Sequence, residues 1–493
     1  MAGGGLTGAL PDLAHAVASD ALPAPVAVLV FPLTFVALDV AGAASSPFGV
    51  WGSPAQPQHA SKPLLQVAAL GGGGVVTGLL GLSAAALGLA LTNAPGAGPT
   101  LVVAVALVIA VHLWGAVRLA RARAGMSVRV AGLVEASGDA PTGDPLALLM
   151  QDERLDDAAW HRVRSASTAV LADLIARTQD ALAGGAQLVV WAEGAGLVPA
   201  GHEDEVVAHV ADLARRYDGH VALALAVAHR DGPRHVDNRV VLVAPGGHAT
   251  LDTRKARPVP GAEADHTIPG DGALAWVDTA LVRLGVLACF DLDLPRLSRQ
   301  AAGNRVDILL VPASDWPAIS PLHTEMAVLP AIANGCTVVR PARWGRSAAI
   351  DPYGRFVATA DHVGPGERRC GQRSRPGGSR RRTHAWRVGP RPLTAAARRA
   401  ALRPDRFRCR SRDRLLRTRS RTDDQGPLHA QVAVLALLLG AVEGERARVG
   451  REHADDRLPI MIDRNEPTVN SSSVSRCPDS GTSLSSRVSA KRH

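Results

Sequence analysis

Lysine is nearly missing from this chain. Only Lys62, Lys255 and Lys491 occur among 54 basic residues, so arginine carries the positive charge and each lysine stands out. Cysteine is scarce too. Cys289, Cys336, Cys370, Cys409 and Cys477 show no CxxC pairing of the kind that holds a metal, and five in 493 residues are too few for a disulfide framework. Aromatic residues make up 3% of the chain. The first 24 residues carry only Asp12 and Asp20 as charges, so they lack the basic start of a secretory signal peptide.

The net charge of +9 implies less than its size suggests. Residues 366–493 hold about +16 and the residues before them about −7, so the basic character belongs to one end. A charge confined in this way gives no argument for a nucleic-acid partner, and none is expected.

Long uncharged runs are present instead. Pro25 to Ala43 is apolar apart from Asp39 and is broken by Pro32; Leu64 to Thr92 has no charged residue; Pro99 to Val117 is interrupted only by His112. Runs of about 20 such residues cross a bilayer core of about 30 Å. The glycines at 71–74 weaken a soluble helix but suit helices packed closely in lipid. We therefore expect an N-terminal segment at 1–24 and about three transmembrane helices within 25–120. Arg118, Arg121, Arg123 and Arg129 come directly after the third run, and by the positive-inside rule alone they place the rest of the chain in the cytoplasm.

From Ser127 the pattern is that of an α/β domain, expected over 127–365. Strands are predicted at Val128–Ala136, Leu188–Gly194, Val221–His229, Asn238–Gly247, Leu284 to Cys289, Val306–Ser314 and Cys336–Ala342. They alternate with helices at Asp156–Leu182, Glu203–Tyr217 and Leu322–Asn334, and a hairpin is expected around Asp351–Arg355. Such alternation implies sheets covered by helices. After about Glu367 the periodicity stops. Arg368 to Arg421 holds about twenty arginines and reads as disordered; Val432 to Leu439 is too short to span a membrane, and the Ser-rich end is low-complexity. Residues 366–493 are thus either a basic interaction tail or a product of reading outside the ancestral frame.

Four residues could share one active site: Glu193 at a strand end, Lys255 and Glu263 eight positions apart, and Cys289 after an apolar strand. A carboxylate can take a thiol proton, the thiolate can attack a carbonyl, and an ammonium can steady the oxyanion. Taken singly, each has an ordinary reading as a loop acid, a surface lysine, a turn residue or a small buried hydrophobe.

Together the motifs resemble the nitrilase (carbon–nitrogen hydrolase) superfamily and, within it, the bacterial apolipoprotein N-acyltransferases. LVVWAEGAG is similar to the family's strand ending on the base glutamate, KARPVPGAE to its lysine segment, LACFDLDLP to its nucleophile elbow, ASDWPAISPLHTEMA to the loop and helix beyond it, and GRSAAIDPYGR to its last hairpin. FPLTFVALDV, FGVWGSPAQPQ and LLQVAALGG resemble the membrane part of the acyltransferases. The chain departs from the family pattern at Ala192, Ala262, Phe290, Asp291, Pro330 and Ala333.

The resemblance implies an αββα sandwich preceded by transmembrane helices. It implies catalytic roles for Glu193, Lys255, Cys289 and Glu263, with Phe290, Asp291 and Trp316 at the substrate, and neither a metal nor an organic cofactor. It implies a phospholipid acyl donor, a diacylglyceryl lipoprotein acceptor, contact with membrane lipid, and a multi-pass protein of the plasma (inner) membrane whose catalytic domain is extracytoplasmic, opposite to the charge rule. A membrane-tethered amidase or nitrilase and an inactive truncated paralogue are the alternatives.

Overall fold

The structure, a computed structural model, describes residues 2–122, 127–135, 146, 149–150, 156–231, 234–316, 318–361 and 383–388. Four long helices come first among the described residues: α1 (Ala2–Ala21), α2 (Ala24–Ser45), α3 (Gly73–Leu91) and α4 (Ala97–Ala120). The last three contain stretches long and apolar enough to cross a membrane, at Val26–Ser45, Gly73–Leu91 and Ala97–Ala120. Helix α1 occupies most of the N-terminal segment expected at 1–24. The expected run Leu64–Thr92 is not one helix. Gly72 takes φ +70°, a conformation that costs glycine little, and this splits the short helices Lys62–Leu65 and Ala68–Gly71 from α3. The acid within α2 is satisfied: Asp39 Oδ2 accepts from Thr77 Oγ1 at 2.6 Å and from Ser53 Oγ at 3.2 Å. Helices α2 and α3 approach closely at Gly81, where an added Cβ would lie 3.0 Å from the Pro32 backbone.

Two sheets come next. The first has the order β15-β1-β2-β4-β5-β6, with β3 pairing β4; its strands are β1 (Val128–Leu133), β2 (Leu188–Trp191), β3 (Gly196–Pro199), β4 (His220–Ala228), β5 (Val236–Val243), β6 (Ala249–Arg254) and β15 (Thr383–Val388). The second has the order β14-β13-β11-β9-β8-β7, built from β7 (Ala275–Asp278), β8 (Arg283–Val286), β9 (Ile308–Leu310), β11 (Thr337–Arg340), β13 (Arg346–Ile350) and β14 (Phe356–Asp361). Between its strands lie the short parallel pair β10 (Ala313–Ser314) and β12 (Ala342–Arg343).

One apolar core joins the facing sides of the sheets, with Val190, Ala222 and Leu242 from the first and Leu284, Leu310 and Val339 from the second. Helices α5 (Asp157–Ala183) and α6 (Glu203–Tyr217) add Leu174, Leu182, Val210 and Leu213 to it. Helix α5 begins where Asp156 Oδ1 accepts from the Ala159 N–H at 2.6 Å. In α6, Glu203, Asp204 and Glu205 open the helix and Arg215 and Arg216 close it, which suits its dipole.

A second core lies on the far side of the second sheet. Leu309 and Val338 meet Val328 and Ile332 there, and so do Leu65 of a short helix and Leu79 and Val111 of the membrane-length helices. The apolar helices and the catalytic layer therefore share buried side chains. This is the nitrilase-like αββα arrangement with three apolar helices before it.

Three expectations need correction. The helix expected over Leu322–Asn334 is two helices, α7 (Leu322–Met326) and α8 (Val328–Asn334), consistent with Pro330 lacking the N–H that a continuous helix would use. The strand expected to run to Cys289 ends at Val286, short of it. The expected disordered tail contains β15, whose Val388 to Thr383 pair antiparallel with Val128 to Leu133. The rest of that tail, with its Val432–Leu439 run, lies outside the described residues.

Candidate active site

Strand β2 is buried along its length and runs parallel between β1 and β4, so its C-terminal end delivers Glu193 to a fixed place. Trp191 anchors that end by donating its indole N–H to Thr178 Oγ1 at 2.9 Å. Strand β6 ends at Arg254, and Lys255 comes next with its N–H on the Asn238 carbonyl at 2.8 Å. The turn after it is closed by Glu263, whose Oε2 accepts from the Val259 N–H at 3.0 Å.

These segments converge. Lys255 Nζ donates to Glu193 Oε1 at 2.9 Å and reaches Glu263 Oε2 at 2.6 Å. Asn238 Nδ2 also donates to Glu193 Oε1, at 2.9 Å. The other oxygen of Glu193, Oε2, is buried and accepts no hydrogen bond among the described residues. That leaves a free lone pair in a dry site, which is what a proton acceptor needs. Burial alone would depress the Lys255 ammonium; Glu193 and then Glu263 reverse the sign and hold it well above its ordinary value.

Cys289 opens a tight turn, Cys289–Asp293, with two residues between it and the end of β8, and takes φ +47°. A side chain in the left-handed region is strained, and strain of this kind collects where a side chain must be presented at a set angle. The turn is held by the Cys289 N–H on the Pro312 carbonyl at 2.8 Å, and the thiol points at the Ser314 carbonyl oxygen, 3.8 Å away. Burial pushes the thiol well above its ordinary range and Glu193 adds to the rise, while Lys255 pulls it back. This environment favours the thiol over the thiolate, so a nucleophilic Cys289 would need a base.

The residues expected at the substrate fall in different places. Phe290 is buried. Asp291 is buried and faces the protein's own backbone: it accepts from Ala256 N at 2.9 Å, Arg257 N at 2.8 Å and Ala288 N at 3.3 Å. It ties the lysine segment to the turn that Cys289 opens. Burial pushes its carboxyl up to about 7, against those amide donors and Lys255. Trp316 is 47% exposed, so its ring remains available to a ligand.

The sequence did not single out Asn238, nor a charged cluster behind the sulfur. Arg340 donates to both oxygens of Asp315, at 2.9 and 2.7 Å, and His323 lies between Asp315 (2.7 Å) and Asp293 (2.9 Å). A basic residue ending the apolar strand Thr337–Arg340 was the signal available for that cluster; Asn238 sits inside an ordinary strand pattern and gave none. Donor atoms of Cys289, Asp315 and His323 lie within 4.8 Å of one another. Both ring nitrogens of His323 already face carboxylates and Arg340 grips Asp315, so we assign no metal to them.

Residues 156–366 match the carbon–nitrogen hydrolase family. These residues thus form a carbon–nitrogen hydrolase domain. It is 25% identical over 363 residues to the apolipoprotein N-acyltransferase of Geobacter metallireducens, covering 66% of this chain and 64% of that protein. It is 31% identical over 118 residues to the deaminated glutathione amidase of Homo sapiens, covering 22% of this chain and 36% of that protein. The first curated relatives it matches are spanned over about a third of their length. An amidase from Nesterenkonia sp. is similar in structure, with 18% identity, a TM-score of 0.38, and coverage of 49% of this chain and 88% of that one.

Proposed function

We propose that this protein is a membrane-bound N-acyltransferase that carries an acyl chain through a thioester on Cys289. In the first half, Glu193 takes the thiol proton and the sulfur attacks the ester carbonyl of a phospholipid. Lys255 faces the oxyanion of the tetrahedral intermediate. The C–O bond then breaks, the proton passes from Glu193 to the leaving oxygen, and a lysophospholipid departs. In the second half, the α-amine of a diacylglyceryl-cysteine lipoprotein attacks the thioester carbonyl. Glu193 accepts the amine proton and returns it to the sulfur as the C–S bond breaks, leaving an amide. Glu263 keeps Lys255 charged and placed. Membrane lipid surrounds α2, α3 and α4, and the site lies on the extracytoplasmic side of the plasma membrane.

The observation that carries this reading is the shared core. Leu79 and Val111 of the membrane-length helices are buried with Val328 and Ile332 of the α/β domain, an arrangement that suits a donor living in the bilayer. The likeness to a deaminated glutathione amidase supports a second reading, a membrane-tethered amidase using the same residues. Incubation of purified protein with radiolabelled phospholipid and a diacylglyceryl peptide separates them. The transferase forms a peptide amide and lysophospholipid; an amidase releases ammonia from small amides and leaves the phospholipid intact.

A further inference from the structure

The loop after α2 reaches the nucleophile turn from the membrane side. Val50 donates its N–H to the Asp293 carbonyl at 3.0 Å. Gly49, at φ +59°, lies so close to that carbonyl that a Cβ there would fall 2.2 Å from its oxygen. Trp51 donates its indole N–H to Asp293 Oδ2 at 2.9 Å, and its ring is tilted against His323 with centroids 5.5 Å apart. Asp293 is the last residue of the turn that Cys289 begins. Two of its contacts therefore come from a segment more than 240 positions away in the chain.

The same oxygen, Asp293 Oδ2, is 2.9 Å from His323 Nε2, and the other ring nitrogen is 2.7 Å from Asp315 Oδ1. The groups facing His323 are Asp293 of the turn that Cys289 opens, Asp315 after β10, Arg340 of β11, whose Nη2 lies 2.8 Å from Nδ1, the Cys289 sulfur within 4.8 Å, and the neutral indole of Trp51. Two carboxylates against one guanidinium leave one negative charge, which a proton on His323 cancels. Burial lowers the imidazolium's pKa, yet Asp293 leads a set of contacts that brings it above the ordinary value. Cys289 faces Glu193, Lys255, Asp315 and Arg340. An Asp315 carboxylate left uncompensated raises the thiol further; one matched by both Arg340 and an imidazolium does not.

We propose that Trp51 is a positioning residue for the nucleophile: by fixing Asp293 it keeps His323 as the cation that neutralises Asp315 beside the Cys289 sulfur, so cysteine reactivity depends on seating of the loop after the first membrane-length helix. Trp51 acts through Asp293 and His323 and touches no reacting atom. The inference takes its importance from reading Cys289 as the acyl carrier, but the device can be measured without acyl transfer.

The test is the pH profile of iodoacetamide labelling of the full-length protein, read by mass spectrometry on the Cys289 and Cys336 peptides. Asp293→Asn removes the carboxylate that holds the imidazolium. It should raise the Cys289 midpoint by about one pH unit and slow labelling at neutral pH about tenfold. Trp51→Phe keeps a ring but no donor, freeing Asp293 to turn from His323, and should shift the profile the same way by about half a unit, roughly threefold. Cys336, which is fully buried, should label as in the wild type. A Trp51→Phe profile that superimposes on the wild type overturns the proposal. So does faster labelling of Cys289 and Cys336 together, which would mean general loosening. If phospholipid never acylates Cys289 but the midpoint still moves, the acyltransferase reading falls and this one stands.

Discussion

The ammonium of Lys255 lies 2.9 Å from Oε1 of Glu193, across 62 positions of sequence, with Glu263 2.6 Å away on another side. One cation thus sits between the buried carboxylate of Glu193 and the half-buried one of Glu263, and it is one of only three lysines in the chain. The arrangement costs desolvation of three charged groups and persists because each is paired. It also fixes what each group can do: Lys255 stays charged, and Glu193 keeps one oxygen free for a proton.

Lys255→Met leaves Glu193 and Glu263 without their shared partner. We expect a loss of about 3–5 kcal/mol in stability, read by denaturant unfolding in detergent, and a fall of about 10²–10³ in acyl transfer. Lys255→Arg should not restore the rate, because a planar guanidinium does not match a site built around one nitrogen donor.

Glu193→Gln separates charge from proton transfer. The Glu193 carboxylate raises the Cys289 thiol, so its removal should bring the iodoacetamide profile of Cys289 down in pH. Turnover should nevertheless drop by about 10²–10⁴ through loss of the base. Faster alkylation with slower catalysis is the expected pair of results, and parallel changes in the two would contradict the assignment.

Arg340→Leu strips Asp315 of its cation in a dry interior. Breaking a buried pair in this way costs about 3–5 kcal/mol. Asp315 is held well below the usual carboxylate range: burial opposes ionisation, and Arg340 foremost, with His323, overcomes it. A carboxylate depressed in the folded state contributes stability above its unfolded pKa of about 3.9 and loses it as pH falls toward the folded value. Unfolding of the wild type and of Arg340→Leu should therefore differ most at neutral pH and converge in acid.

Asp291 has the opposite sign. Its carboxyl is pushed up to about 7, so its contribution is fully present below about pH 4 and is lost as pH rises through about 7. The Tm difference between the wild type and Asp291→Asn should shrink or reverse across that window. A pH-independent difference would mean that the amide donors hold the group ionised throughout.

The sequence disclosed much of this architecture because its strands are plain. Val221–Ala228 and Leu188–Trp191 are apolar runs with no competing period, and both are fully buried. Helix α6 was legible from end to end, since its charges match its poles. The misses share a physical cause. Ala249–Arg254 alternates polar and apolar residues at a sheet edge, and its arginine and lysine end hid the strand. Asn238 could not be chosen over any other strand asparagine until the fold set it against Glu193. Trp51 looked like part of a membrane loop, and only tertiary contact shows it bonded to the nucleophile turn. Asp291 is placed at the substrate by the resemblance alone, whereas the turn aims it at the backbone of 256 and 257, a contact that no local pattern in the sequence signals.

The most direct measurement is the mass of the Cys289 peptide after the protein in detergent is exposed to a phospholipid of defined acyl chain and quenched before any acceptor is added. The account predicts an increment equal to that acyl group, removed by neutral hydroxylamine and absent from Cys289→Ala. An unmodified Cys289 beside an active wild-type preparation, or equal labelling of Cys289→Ala, would contradict it.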